Sequence, residues 1–320
     1  MKASKQVLAS GNTSLRKKKH ALEMRKSFQL ILLALPGIIW FFVFNYIPMV
    51  GAVIAFKDYK PKRGIFGSDW VGFDNFEFMF KSSDAGRLVF NTIFYNFLSI
   101  ILVALICVTI AILMDLVDKR IYLKTYQTML FLPRFISWVV VGYISSILFH
   151  YEYGVLNQIL SAFGKDAVSW YLEPKYWWFI IPTFNIWKTI GYTSLVYYGT
   201  IMGIDTQIYE SAEIDGATPF KKIWYITLPL LKPTILVLSL MSVGSIMRSD
   251  FGLFYYVPNN SGALYSVTDV LDTYIFRALR NAGDLSSSAA SGFFQSVVGL
   301  IMVVSCNAIV KKLDSDSALF

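Results

Sequence analysis

The sequence predicts an all-α membrane protein of six transmembrane helices with both termini in the cytoplasm, and three observations carry that prediction. Apolar residues make up 55% of the 320-residue chain and charged residues only 16%. With a mean hydropathy of +0.52, that is more apolar surface than one soluble core can hide, so lipid must be part of the solvent. The apolar residues gather in runs, and about 20 helical residues cross a hydrocarbon layer of roughly 30 Å. Positive charge is concentrated in the N-terminal tail, where Lys2, Lys5, Arg16, Lys17, Lys18, Lys19, Arg25 and Lys26 stand against the single acid Glu23. Such a cluster holds the start of a membrane chain on the cytoplasmic side.

Residues 1–28 form that basic cytoplasmic tail, with disorder expected up to about Ala21 because little apolar surface is present to fold it. Residues 29–320 form the transmembrane domain. Its predicted spans are 29–56, 89–114, 126–149, 176–203, 228–247 and 291–310. Pro36 and Pro48 interrupt the first, so a shortened or kinked helix is expected there. That run is too long for a secretory leader and no small-residue cleavage site follows it, so it reads as an anchor. Six crossings return Lys311 and Lys312 to the side of the tail.

The loops refine this topology. The first outer loop, 57–88, holds Lys57, Lys60, Lys62, Arg63, Lys81 and Arg87, against the usual bias. The shorter inner segments nevertheless carry positive charge at higher density, in Lys119, Arg120, Lys124, Lys221, Lys222 and Lys232. GSDWVGFDNFEFMF in the same outer loop reads as a small ordered cap. In the third outer loop, Val267, Val270, Leu271, Tyr274, Ile275 and Ala278 fall at helical spacing and predict one amphipathic helix. It would either cover the outer face of the bundle, or gate a path or meet a partner.

Several functions are disfavoured. The net charge of +8 follows topology, so nucleic acid is not an expected partner. The histidines are His20 in the tail and His150 at the outer end of a run, and neither has catalytic company. No G-x-x-x-x-G-K-[ST], HExxH or CxxC motif occurs, so no catalytic residue, metal ligand or cofactor-binding residue is expected in this chain. Cys107 and Cys306 both lie in apolar runs and read as packing residues. An ion-coupled carrier normally keeps a carboxylate inside its spans, and these spans contain no Asp or Glu. The driving force is expected to come from outside the bilayer.

The segment YESAEIDGATPFKKIWYITLPLLKP, Tyr209 to Pro233, interrupts the apolar pattern. Asp205 is placed to cap a helix running through TQIYESAEID, and Gly216 to end it in the left-handed region. Thr218 and Pro219 then supply the cap and first turn of a second helix, expected to run to Pro229. A helix of about ten residues is marginal alone in water and needs a surface to pack on. Ile208, Tyr209 and Ala212 form its narrow apolar edge, Ser211 and Ala212 permit close approach, and Glu210, Glu213 and Asp215 offer acceptors. The segment is either a solvated spacer between two spans or a knob inserted into a partner's cleft.

Glu210, Ser211, Ala212 and Gly216, followed at fixed spacing by Ile226, Leu228 and Pro229, resemble the E-A-A-x-x-x-G…I-x-L-P signature of binding-protein-dependent ABC importer permeases. Ser211 replaces the first Ala of that signature. LALPGIIWFFVFNYIPM, FLPRFISWVVV, IWKTIGYTSLVYYGTI, YSVTDVLDTYIFRALR and SGFFQSVVGLIMV extend the resemblance over most of the chain, toward permeases for oligosaccharides and polysaccharide fragments. The resemblance implies a type I ABC importer permease fold in a bacterial inner membrane, with residues 205–227 as a cytoplasmic coupling loop. Glu210, Ser211, Ala212, Asp215 and Gly216 would then transmit the closure of ATP-hydrolysing partners. It also implies two ATP-binding subunits that hold ATP and Mg, a second permease subunit in a heterodimer, and an extracellular solute-binding protein. The cargo would be an oligosaccharide, and Lys188 would have a structural role. The alternatives are a permease for another solute, such as an amino acid, peptide or phosphate diester, and an ATP-independent channel or carrier.

Along the path, Trp138, Tyr143, Trp187, Tyr192, Tyr197 and Tyr198 offer rings that stack on sugar faces, although aromatic residues also serve to pack helices. Lys188 lies midway along a span, where an ammonium must find water, carbonyls or a ligand. With Arg248 it offers positive charge to an acidic sugar such as a uronate. Gly199 and Gly203 read as sites of close helix crossing.

Overall fold

The computed structural model describes residues 30–77 and 83–313, so the basic tail 1–28, Lys81 and part of the expected outer cap lie outside the described residues. The chain divides into two units. The smaller comprises residues up to Ile54 together with Tyr59–Ser68. It begins with α1 (30–41), which passes through a π turn at Phe42–Tyr46 into a 3-10 segment over Ile47–Phe56. Pro48 lies in the 3-10 segment and Pro36 within α1 itself, and the helix continues from Leu30 to Phe56. Its side chains from Leu30 to Val50, Leu33 and Trp40 among them, are exposed, as the lipid-facing surface of a span requires.

The larger unit comprises Ala55–Asp58 and everything from Asp69 onward. A two-residue hairpin opens it, β1 (Lys57–Asp58) pairing antiparallel with β2 (Asp69–Trp70). Asn75 Nδ2 donates to the Ala55 and Lys57 carbonyls, and Phe56 packs among Phe73, Phe76 and Phe293. The helices are α2 (Ser83–Asp115), α3 (Arg120–Phe131), α4 (Trp138–Leu148), α5 (Val155–Ala162) and α6 (Trp177–Ile201). After them come α7 (Thr206–Ile214), α8 (Pro219–Lys222), α9 (Leu228–Gly244) and α10 (Phe251–Tyr256). The chain closes with α11 (Tyr265–Thr268), α12 (Leu271–Arg277) and α13 (Leu285–Leu313).

The central packing is α6 along α2, with α9 against α13 and α3 against α6. Gly191 makes the last contact possible, because a Cβ there would stand 2.0 Å from the Leu130 carbonyl oxygen. Gly199, expected at a crossing, has nothing within 4 Å of the position a Cβ would take. One core cluster joins Trp177, Ile181 and Phe184 of α6 to Val141, Leu253 and Val267. A second joins Cys107, Val108 and Ala111 of α2 to Tyr197, Ile201 and Leu231.

Four described segments are long and apolar enough to cross a membrane: Leu30–Phe56, Asp84–Asp115, Pro219–Gly244 and Leu285–Lys312. The third predicted run, 126–149, is not one straight helix. Arg120–Phe135 and Trp138–Leu148 meet at a bend of 97°. Pro133 opens a 3-10 turn at Leu132–Phe135, and Ile136 and Ser137 then take extended backbone before the Ser137 hydroxyl caps α4 at the Val140 N–H. The fourth run, α6, is 25 residues long but is not in that set. Asn185, Lys188, Thr189 and Thr193 make it polar, for a reason that lies in what it faces.

The expected amphipathic helix over 267–278 is also divided, because Asp269 and Val270 are extended. Thr273 explains the restart: its hydroxyl accepts the Val270 N–H at 3.0 Å and begins α12 afresh. Val267, Val270 and Leu271 are buried, so this segment is core packing.

Side chains of neighbouring helices satisfy peptide groups released at these breaks. Lys188 Nζ donates to the Ile136 carbonyl. Asn96 Nδ2 donates to the Ile246 carbonyl at 2.9 Å and Gln295 Nε2 to that of Met247 at 2.8 Å. The Ser249 N–H donates to Asp272 Oδ2 at 2.7 Å, and the Leu271 N–H to Thr92 Oγ1 at 3.0 Å. Asn91 Nδ2 donates to the Asp269 carbonyl at 2.9 Å. Gln295→Leu, which strands the buried Met247 carbonyl, is expected to cost about 1–3 kcal/mol, read as a lower unfolding midpoint of the purified chain in detergent. Thr109→Val, at an exposed hydroxyl bonded only within its own helix, should change stability by no more than about 0.5 kcal/mol.

Candidate functional site

Two features have the character of working surfaces. The first is the α7–α8 knob. Asp205 accepts the Gln207 N–H at 3.0 Å and caps α7. At the other end the Ala217 N–H donates to the Ala212 carbonyl at 2.9 Å and the Gly216 N–H to that of Glu213 at 3.0 Å. This pair of bonds, closed by Gly216 at φ +77°, is the helix-ending bend that an L side chain penalises. Thr218 caps α8 and Pro219 occupies its first turn.

The predicted end of this second helix at Pro229 does not occur, since the helix continues from Pro219 to Gly244. A π turn at Ile223–Thr227, closed by the Leu228 N–H on the Ile223 carbonyl, widens the helix just before Pro229. It thereby accommodates a residue that lacks an N–H and would crowd the preceding turn.

The knob is tied to its own stem. Tyr209 Oη and Thr227 Oγ1 lie 2.9 Å apart, and Lys222 Nζ stands 2.9 Å from Glu213 Oε2. That lysine holds the exposed Glu213 carboxyl below the usual carboxylate range, so the pair is intact at neutral pH and is lost as pH falls through the lowered value. Glu210, Ser211, Asp215 and Gly216 are exposed and Ala212 is half-buried. Beside them stands an apolar surface of Ile214, 88% exposed, with Phe220, Trp224 and Tyr225. Phe220 and Trp224 stack at 6.3 Å.

The second feature is a cavity of about 540 Å³ between α2, α6 and α9. Asn96, Ser99, Asn185, Thr189, Thr193, Ser239, Ser242 and Ser245 line it among apolar residues, and no charged residue does so. Asn185 Nδ2 donates to Ser99 Oγ at 2.7 Å and fixes one wall. Hydroxyls and amides that both donate and accept suit a polyhydroxylated ligand.

Of the path residues named from the sequence, Tyr192 and Tyr197 line this cavity. Tyr197 is only 1% exposed and belongs to the inner core. Trp187 packs edge-on against Phe184, while Tyr143 is exposed on α4. Lys188 is buried, its Nζ on the Ile136 carbonyl and 4.1 Å from the centre of the Trp138 ring. Arg248 is exposed and donates to Ser296 Oγ at 3.1 Å. Neither basic side chain lines the cavity. The lining that sequence reasoning missed has a visible signal: Asn185, Thr189 and Val196 recur at helical spacing with Tyr192, as do Asn96, Ser99 and Val103.

A family described as "Binding-protein-dependent transport system inner membrane component" matches residues 124–315. The chain is 34% identical over 293 residues to Protein LplB of Bacillus subtilis (strain 168), covering 92% of each chain. It is 32% identical over 301 residues to the polygalacturonan/rhamnogalacturonan transport system permease protein YteP of the same strain, covering 94% of this chain and 93% of that one. Its fold matches a chain of a bacterial ABC transporter involved in the import of the acidic polysaccharide alginate. That match has a TM-score of 0.82 and 34% identity, and covers 91% of this chain and 98% of the other. A bacterial alginate ABC transporter in complex with an alginate pentasaccharide-bound periplasmic protein also matches, with TM-score 0.82 and 33% identity, covering 91% of this chain and 96% of the other. With the knob, the broken helices and the polar cavity in place, the chain belongs to the family of binding-protein-dependent ABC transport system inner membrane components.

Proposed function

We propose that this chain is one of two permease subunits of an ATP-driven importer that carries an oligosaccharide, with an acidic polysaccharide fragment as the favoured cargo. The observation that carries the reading is the knob, a capped and glycine-ended projection whose exposed acids and apolar patch sit at the foot of one continuous helix. In this reading the chain crosses the membrane six times: by the four apolar helices, by the bent pair, and by α6, whose polarity belongs to the cavity it faces. Both termini and the knob are cytoplasmic.

Two ATP-binding subunits, which supply ATP and Mg, receive the knobs of this chain and of a second, similar permease. An extracellular solute-binding protein delivers cargo from the other side. Closure of the ATPases displaces α7 and α8, and the unbroken stem from Pro219 to Gly244 carries that displacement to the cavity wall at Leu238, Ser239 and Ser242. Coupling is limited to the differential contact energy at that joint. An acidic cargo is supported by likeness to the pectin-fragment and alginate permeases and by a lining that contains no carboxylate to repel it.

In the reconstituted complex, Ser211→Cys is expected to crosslink to the ATP-hydrolysing partner. Gly216→Val, which forces a β-branched residue into the left-handed region at about 1–2 kcal/mol, should abolish uptake, as should Glu210→Lys. Wild-type uptake and substrate-stimulated ATPase in both, or crosslinks that never capture the ATPase, would overturn the reading. Lys188→Met is expected to lower uptake of acidic and neutral oligosaccharides alike, because its ammonium serves the Ile136 carbonyl. Loss confined to acidic cargo, measured with labelled sugars in proteoliposomes, would instead return it to the path.

A further inference from the structure

Two broken segments are pinned together by one aromatic side chain. Trp138 begins α4, directly after the bend at Ile136 and Ser137. Its Nε1 donates to Asp250 Oδ2 at 2.7 Å, while Asp250 Oδ1 caps α10 by accepting the Gly252 N–H at 3.0 Å. Lys188 of α6 stands over the indole at 4.1 Å from its centre and grips the bend through the Ile136 carbonyl. Gly252 lets α10 approach so closely that a Cβ at that position would lie 2.2 Å from the indole Cδ1. The ring is thus held by an anion at its edge, a cation at its face and a backbone at its flank. The anion and the backbone come from the start of α10 and the cation from α6, both remote in sequence from Trp138.

This junction borders the narrow end of the cavity. The chamber of about 540 Å³ shares Asn96, Ser99 and Asn185 with a second space of about 40 Å³. Tyr95, Ile181, Pro182, Asp250, Leu253 and Phe254 complete the walls of that small space. It lies toward the Trp177 end of α6, away from the knob end. A space of this size takes roughly one to three waters and no sugar ring. Asp250 and the start of α10 are therefore a wall that a passing saccharide must displace, and that displacement breaks the indole bond.

We propose that Trp138, bonded to Asp250 and faced by Lys188, is the latch that holds this end of the path shut, and that the strength of the latch sets the resting balance between closed and open. The inference rests on the importer reading, and Trp138 acts on the cargo only through the wall it positions. Losing a hydrogen bond to a charged group shifts a two-state balance by roughly tenfold or more.

The test uses the assembled importer in proteoliposomes, with Cys107 and Cys306 replaced by serine and one thiol introduced as Ser99→Cys in the narrow space. A membrane-impermeant thiol reagent is applied from the side opposite the knob, with and without ATP and vanadate. Without nucleotide, Trp138→Phe, which keeps the ring and loses the N–H, is expected to label at least about fivefold faster than the parent and to raise basal ATPase activity. Asp250→Asn serves in its place if that variant does not assemble, and is expected to accelerate labelling by a smaller factor. Parental labelling rates in an assembled variant whose labelling still responds to nucleotide would overturn the latch alone. Faster labelling in a complex indifferent to nucleotide would support the latch and count against ATP coupling.

Discussion

A helix interrupted where protein packs closely around it releases amide and carbonyl groups that no water reaches, and each left unbonded is strongly destabilising. This constraint organises the larger unit. The bend after Phe135, the segment between α9 and α10, and the extended pair between α11 and α12 each depend on side chains reaching across from another helix. Asn91, Thr92 and Asn96 of α2 serve two of these places, Lys188 serves the third, and Gln295 of α13 supplements them. Asn91, Thr92, Asn96, Lys188 and Gln295 are therefore structural members, each answering a particular peptide group.

The same arrangement gives the cavity its character. Once breaks are secured by side chains, helices can diverge and leave a space between α2, α6 and α9 without exposing unsatisfied backbone to it. What remains facing that space is amide and hydroxyl, with the ionic groups held elsewhere: Lys188 on the bend, Asp272 on Ser249 and Gln295, and Asp269 against Arg277. Under the proposed function, a wall of neutral donors and acceptors would bind a sugar well enough to guide it and weakly enough to release it. Strong discrimination among cargoes then falls to whatever protein delivers them.

Much of this was legible in the sequence. Asp205, Gly216, Thr218 and Pro219 foretold the knob because caps, left-handed glycines and first-turn prolines are local devices that depend on their immediate neighbours. The position of the bend after Pro133 was not foretold, since a proline in an apolar run also occurs in a merely kinked helix, and what secures the break comes from Lys188, more than fifty residues away. The 267–278 segment misled for a related reason: its helical spacing is genuine, but Thr273 and a buried setting for Val270 divide it. Lys188 and Arg248 suggested a charged path because the alternative partners, a backbone carbonyl and a serine on α13, are products of tertiary packing. The lining of the cavity was written in small polar residues at helical spacing, a quieter signal than either charge or aromatic rings.

The π turn before Pro229 does more than make room for a proline. Its one extra residue per turn offsets everything upstream by about 100° around the helix axis, so the azimuth at which Ile214 and Phe220 point is decided at Ile223–Thr227. Under the proposed coupling, gaining or losing that single residue would re-aim the handle in one step and leave the cavity wall at Leu238, Ser239 and Ser242 unaltered.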